Sequence, residues 1–544
     1  MDIRWHLLLG CGLASFTAGC LHPKPDMRDF SVVDVPSIAH DISSSAILSA
    51  SATTPHPSVP EDTETKPELR KLEIPRDIPG GGTPPFQLPK LEGLTPEQRA
   101  KVIREHFPML PALNPEPLAV GNALSLVELE QLAMANNPKV KQAAAEVEAA
   151  RGRMIQAGLL PNPEIGFQAD QINSGTGVQT RGQPGGYVGW EWITAGKLSL
   201  ARLAEGMAYA NAQVALRRTQ IDVTVEIRRK YFAVLLARQS VQISRALTVF
   251  SDEIYNVQLE LLRAGELAGY EPLQSYVLAV EARGKLAQAR NRYAAAWREL
   301  AAVTGIPDLP QTELAGTIEA PVPEYNLDSL REMMLAQHTD IQIAHNSILE
   351  ARYRLKLTEV TPIPDLKAQV YIERDWSTPP YNTQVGVQVG GAIPVFNRNQ
   401  GNRLSARSEL ARAIQQVNTV QNDLLSRLAA AWEVYASNRI LVDYYRSHIL
   451  PNQVRVYRGT FERSRKDPQT TSYIDIVVAQ QMLATALSSY LNALGSQWEA
   501  VVDLTALTQQ AELYPSQPPN QPGTSLEQLL APPHPVEIST PTNN

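Results

Sequence analysis

Glu148-Ala149-Ala150-Arg151, followed by Pro161-Asn162-Pro163-Glu164-Ile165, decides the fold, because the chain writes this pattern twice. The second copy is Glu350-Ala351-Arg352, followed by Pro362-Ile363-Pro364-Asp365-Leu366. Ala150, Arg151, Pro161 and Pro163 map onto Ala351, Arg352, Pro362 and Pro364 at a constant offset of 201. Leu126, Leu129 and Val140 map onto Leu327, Leu330 and Ile341 at the same offset. Each copy reads as helix, proline punctuation, strand pair, very long helix, turn and long helix.

Working outward, Leu126 to Gly158 reads as one helix, with Glu128 in its first turn and Val140, Ala144, Val147 and Met154 at heptad spacing. Pro161 and Pro163 stop it. No proline occurs from Gly196 to Arg263, where Ile243, Leu247, Phe250, Ile254, Val257 and Leu261 step by 4, 3, 4, 3, 4 as in a coiled-coil seam. That helix would be about 100 Å long, and those at Leu126–Gly158 and Glu271–Thr304 roughly 50 Å each. Two short helices end to end therefore match one long one. The second copy repeats these proportions with Leu327–Thr358, Asn402–Arg463 and Ser472–Thr508, and Pro451 predicts a kink in its long helix.

The segments after the prolines alternate. Ile165, Phe167 and Ala169 oppose Glu164, Gln168 and Asp170; Val188, Trp190 and Trp192 oppose Gly189 and Glu191; Asn173 to Gly186 reads as a loop between them. In the second copy Leu366, Ala368, Val370 and Ile372 oppose Lys367, Gln369, Tyr371 and Glu373, while Val385, Val387, Val389 and Ile393 oppose Gln384, Gly386 and Gln388. A half-buried soluble sheet alternates too. Segments about ten residues long with aromatics nearby fit outer-membrane strands. Four strands cannot close a membrane barrel, and open edges cannot face lipid, so spanning strands require oligomerisation.

Composition bounds the function. The 544-residue chain carries a net charge of -7 and no basic stripe, which excludes nucleic acid as a partner. Its two cysteines, Cys11 and Cys20, leave the rest of the chain without a disulfide or thiolate metal site. Residues 1–19 read as an export signal, with Arg4 before the apolar run Leu7–Phe16. Thr17-Ala18-Gly19-Cys20 resembles a bacterial lipobox, with Thr17 in place of the usual Leu, and implies acylation of Cys20. Residues 20–94 read as a Pro/Ser/Thr-rich tether, with a short helix at Pro96–His106 after it. The two repeats occupy 95–310 and 311–512, and 513–544 reads as a disordered tail. The apolar run of the signal is too short to span a bilayer, and no transmembrane helix is expected further on.

The paired repeats resemble the TolC-like outer membrane efflux proteins over about Pro96 to Gln510. Ile393-Pro394-Val395-Phe396-Asn397-Arg398-Asn399-Gln400-Gly401 resembles the strand-to-helix junction of the cobalt–zinc–cadmium branch, while Trp192-Ile193-Thr194-Ala195-Gly196-Lys197 is less like it. The resemblance implies a mainly α fold with a small β part. It further implies a homotrimer with a 12-stranded outer-membrane barrel in lipid, continued by a helical periplasmic tunnel. Its partners would be a periplasmic adaptor and an inner-membrane pump. The expected function is passive conduction from periplasm to exterior, with heavy-metal cations as cargo. A duct for drugs, small organics or proteins is the alternative within the family. A non-conducting periplasmic coiled-coil protein is the alternative outside it.

The helix–helix turns at 263–271 and 463–475 would form the periplasmic tip, where the resemblance places the adaptor contact. Gly265 and Asp467 lie in these turns, and Glu271 and Asp475 correspond at an offset of 204. Asp475 matches an acidic residue of the closed TolC aperture. Thr471 and Val478 stand where TolC has an Arg and a second acid, so the same salt bridges cannot hold a gate here. Both acids also suit the positive end of a helix. No nucleophile elbow, phosphate loop, metalloprotease helix or paired-cysteine motif is present, and no cofactor or enzymatic role is expected. His338 and His345, seven apart, read as a packed or solvated face and not as metal ligands.

Overall fold

The computed structural model describes residues 79, 82–84, 86–89, 91, 93–113, 123–173, 180–376, 379–466, 473–510 and 513. The expected signal, Cys20, Asp467, Thr471 and residues 514–544 of the C-terminal tail lie outside them; Leu513, the first residue of that tail, is buried. Pro84–Asn544 forms one compact unit; of residues 1–83, a separate unit, only a few are described.

The first repeat runs α2 (Leu126–Asn136), α3 (Pro138–Ala157), β1 (Glu164–Asn173), β2 (Thr180–Trp192), α4 (Lys197–Ala264) and α5 (Glu271–Thr304), after a short α1 (Pro96–His106). The second runs α6 (Leu327–Gln337), α7 (Thr339–Val360), β3 (Leu366–Arg374), β4 (Thr383–Gly390), α8 (Gln400–Tyr444), α9 (Leu450–Lys466) and α10 (Tyr473–Thr508). α4 is 68 residues long, about 100 Å at 1.5 Å per residue. α3 lies along its first part, through Lys139–Glu226 at 2.9 Å. α5 lies along the rest, through the paired Arg283 and Asp252 and the Lys230–Glu299 pair at 2.7 Å. Two short helices do match one long one.

Each helix expected at the head of a repeat is in fact two. Asn137 accepts a hydrogen bond from the Lys139 N–H (2.8 Å) as N-cap of α3, with Pro138 in the first turn. His338, 201 residues on, caps α7 by accepting the Asp340 N–H at its Nδ1 (3.1 Å). Heptad continuity across the break hid it, although Asn-Pro is a helix start. β2 begins at Thr180, inside the expected loop, because Thr180–Gly186 pairs with β1 from Asn173 back to Phe167. The expected kink at Pro451 is taken up by a π turn, Tyr445–Ile449, whose wider ring closes Leu450 N–H onto the Tyr445 carbonyl ahead of the proline.

The seam expected on α4 is displaced at its lower end. Ile254 is buried as expected, but Thr248, Ser251, Tyr255, Gln258 and Leu262 are buried beside it, and Leu262 replaces Leu261. Thr248 donates to the Ser244 carbonyl (2.8 Å) and Gln480 donates to Ser251 Oγ (2.6 Å), while the buried Gln258 Oε1 has no hydrogen-bond partner among the described residues. Helices pack on α4 from more than one side, and small hydroxyl residues admit a close neighbour where Leu would not.

α10 corrects one premise of the expectation that no transmembrane helix follows, namely that no later stretch reaches spanning length without charges. Ile476–Trp498 carries no charge over 23 residues, and the helix is long and apolar enough to cross a membrane by composition alone, with mean hydropathy 1.2. Part of its apolar surface is used in the core: Leu483, Trp498, Val501, Val502 and Leu504 are all fully buried, while Ile474, Val478 and Met482 are exposed.

The core sits mid-rod, where the linker between repeats crosses the helices. Leu124 and Leu314 pair there as a parallel bridge. The linker has no regular structure, so its buried carbonyls need side-chain donors. Trp297 Nε1 donates to Leu309 (3.1 Å), Arg238 to Leu314 (3.0 Å), Trp498 Nε1 to Ile318 (2.8 Å) and Tyr435 to Pro323 (2.7 Å).

His338 gives the core a pH dependence. Burial holds its imidazole below the ordinary value; the neighbouring Arg218 and Arg427 act the same way, and Asp340 and Asp222 oppose them. A depressed folded value means the neutral ring is the stable form, and its stabilisation is lost as pH falls below about 6.5. Protonation at Nδ1 would also abolish the cap. His338→Asn, which copies the Asn137 solution, should therefore flatten the fall in unfolding midpoint between pH 7.5 and 5. Equal slopes for both proteins would show that His338 does not carry it.

Candidate functional site

The four strands form one antiparallel sheet in the order β1-β2-β3-β4. The register places Ile165, Val188, Val370 and Val387 in one row across all four strands, and Phe167, Gly186, Ile372 and Val385 in another. Most large apolar side chains of this face are exposed, from 40% for Val370 to 82% for Ile165, with Val188 half-buried. The opposite face is polar; its middle (Gln168, Gln369, Tyr371, Glu373) is covered, while Glu164, Asp170, Lys367, Gln384 and Gln388 are exposed. Gln168 donates to Glu373, which is only 6% exposed, and Gln369 donates to Gln168 Oε1 (3.2 Å). Among its described side chains, Glu164, Asp170, Glu191 and Glu373 outnumber the one cation, Lys367, which lies 3.6 Å from Glu191. A water-soluble sheet has the reverse polarity, apolar side covered and polar side wet.

Two glycines on the polar face make room for tyrosines. A Cβ on Gly166 would come within 2.4 Å of the Tyr187 ring, and one on Gly386 within 2.1 Å of the Tyr371 ring. Each tyrosine lies across the glycine of the neighbouring edge strand, as in aromatic rescue of edge glycines. The outer strands β1 and β4 each have one unpaired edge.

Aromatics mark both ends of the apolar face. Trp190 and Trp192 stand at the helix end, while Trp376 packs with Tyr381 and under the Arg374 guanidinium at the other. Leu366, opposite Trp192, to Trp376 is roughly 33 Å of strand, or about 25 Å when tilted by ~40°. An apolar band of about that height between aromatic girdles is what an outer membrane requires.

The strand-to-helix junctions differ between the repeats. In the first, Ala195 and Gly196 have positive φ (56° and 69°). Asp365 from the second repeat locks this turn, accepting from the Thr194 N–H (2.8 Å) and pairing with Lys197 (2.9 Å). Sequence reading quoted Asp365 only as the counterpart of Glu164 and missed this bond. In the second junction Asn399 takes the left-handed conformation (φ 59°) that Asn tolerates, and its Nδ2 donates to the Thr358 carbonyl (2.9 Å). The expected Asn-rich motif is thus a local turn and a strut to α7.

At the other end of the rod, Gly265 is the C-cap of α4 with φ 86°, which accounts for glycine there. Glu271 opens α5 and Asp475 lies in the first turn of α10, both where a carboxylate meets the positive helix end.

The described residues thus form an open four-stranded sheet with an apolar face, set on a rod of long helices. Residues 129–306 match the outer membrane efflux protein family. Over that segment the chain is similar to the outer membrane efflux proteins. A curated relative, the cobalt-zinc-cadmium resistance protein CzcC of Cupriavidus metallidurans, is 23% identical over 404 residues, 73% of this chain and 91% of that protein. Solved structures share the fold. CusC is 18% identical over 78% of this chain and 98% of its own, with a TM-score of 0.57. The outer membrane protein VceC of Vibrio cholerae is 15% identical over 70% and 96%, with a TM-score of 0.57.

Proposed function

We propose that the chain assembles as a homotrimer whose twelve strands close a barrel in the outer membrane, and that it serves as the passive exit duct of a tripartite export system. The carrying observation is the sheet: large apolar side chains exposed on one face, polar ones gathered on the other, both edges open. Closure with neighbouring copies removes the edges and places the polar face in a water-filled lumen. In this reading Cys20 is acylated and adds a lipid anchor. The tip, with Gly265 and Asp467 in its turns, docks on a periplasmic adaptor that links it to an inner-membrane pump. Three copies each of Glu271 and Asp475 would ring its entrance. Acidic rings favour cations.

Heavy-metal cations are the proposed cargo. The excess of carboxylates on the polar face and the similarity to CzcC support this. The test is growth of a deletion strain on Co, Zn, Cd, Ni, Cu and Ag salts beside bile salts, dyes and antibiotics. Sensitivity confined to metals is expected; sensitivity confined to organic compounds would overturn the cargo assignment.

A further inference from the structure

Residues 84–113 lie outside both repeats, yet they are built into the tip. α1 opens with a capping box in which Thr95 Oγ1 accepts from the Gln98 N–H and Gln98 Oε1 from the Thr95 N–H (3.4 and 3.1 Å). Its Ile103 and Phe107 are buried against Leu262 of α4, with Leu259 and Leu273 beside them. Phe86 closes over Phe107 edge-on at 5.4 Å. The segment touches the turn as well: Arg99 donates to the Arg263 carbonyl (3.4 Å), and a Cβ on Gly269 would meet Leu88 at 3.0 Å. It then follows the hairpin towards the core, where Tyr255 donates to the Pro108 carbonyl (2.8 Å) and Arg283 to that of Pro111 (2.9 Å). Both limbs of the α4–α5 hairpin and its turn are therefore held by one strap.

The second repeat has no room in its chain order for such an element. What precedes α6 is α5 and the linker pinned at the core. Among the described residues the two hairpin ends of a protomer are consequently unlike.

We propose that residues 84–113 are a resident clasp on the first hairpin, and that α1 forms part of the surface by which this end of the rod engages its partner; this rests on the tip-docking role proposed above. The clasp packs against Gly265 and Gly269, so a partner meets α1 on that side of the turn. α1 turns outward the exposed residues Glu97, Lys101 and Glu105, which alternate in sign at i, i+4 spacing. Such a face suits a partner helix carrying complementary charges at the same spacing. In a trimer half of the hairpin ends would carry the clasp, giving the partner two kinds of site.

A double variant, Leu88→Cys with Gly269→Cys, tests residence. The Gly269 Cβ position is 3.2 Å from that of Leu88, and a relaxation of a few tenths of an ångström reaches the disulfide mean of about 3.8 Å. The full-length chain should form this bond on mild oxidation, and neither single variant should. Cells producing the oxidised form should export as well as those producing the wild type. Ile103→Glu should raise trypsin cleavage after Lys101 or Arg104 by about tenfold or more, because proteolysis follows opening. It should leave the heat-modifiable trimer intact but lower export resistance.

Absence of the bond, or unchanged cleavage in Ile103→Glu, would show that the clasp is not docked. Export lost on bond formation and regained on reduction would show that it must leave the tip. Released clasp with full resistance would show that α1 is not part of the docking surface. The cross-link and protease results do not depend on conduction. If deletion of the wild-type chain gave no phenotype on any compound, the duct reading would fail, and with it the partner role of α1, while residence was still decided.

Discussion

Val387→Arg is expected to abolish the heat-modifiable trimer in membranes, whereas Gln388→Arg, one residue on, should assemble. Val387 lies in the row Ile165, Val188, Val370, Val387 and is 68% exposed. Gln388 lies opposite Gln369 on the polar face. Arg on the lipid side at mid-bilayer costs about 2–4 kcal/mol per chain and close to nothing on a lumen side. Closure would multiply that cost over the copies in the barrel. In a water-soluble sheet the exposed Val387 would be the tolerant site. Gel mobility with and without heating separates the cases, and equal tolerance of the two changes would remove the membrane assignment of β4.

Trp498→Ala is expected to destabilise the protein by about 3–5 kcal/mol, the range for deleting a buried aromatic. Trp498 is fully buried, stacks on Phe232 at 4.2 Å between ring centroids, and donates to the Ile318 carbonyl. The loss would combine a cavity between α4 and α10 with a linker carbonyl deprived of its donor. Trp498→Phe should keep most of the stacking and lose the N–H, at about 1–3 kcal/mol for a carbonyl left unsatisfied. The thermal midpoint in detergent by circular dichroism reports both. A Trp498→Ala midpoint equal to that of the wild type would mean that the linker is held by its other donors.

How much of this was legible in sequence depended on whether the signal was periodic and local. The offset of 201 carried the repeat, and α5 begins and ends where proline, glycine and heptads place it, at Glu271 and Thr304. The alternation of Val385, Val387 and Val389 gave the correct face. Periodicity misled at Asn137 and His338, where apolar spacing ran through a break made by one capping side chain. It also failed along Thr248 and Ser251, because a helix packed on several sides can bury hydroxyls that bond to its own carbonyls. Gly182, Pro184 and Gly185 made the start of β2 look like loop; pairing with β1 overrode composition. α1 was readable as a helix, but its seat on the tip depends on Leu262 and Gly269, far along the chain. The locking of the first junction by Asp365 is likewise a contact between repeats that spacing does not encode.

The most direct test of the central claim is the mass of the purified, detergent-solubilised chain by native mass spectrometry, with the same sample inserted into a planar bilayer. A trimer that conducts is the expected result, since twelve strands close the sheet and enclose its polar face. A monomer that stays folded with β1 and β4 edges free, or a trimer that never conducts in the presence of its docking partner, would contradict it.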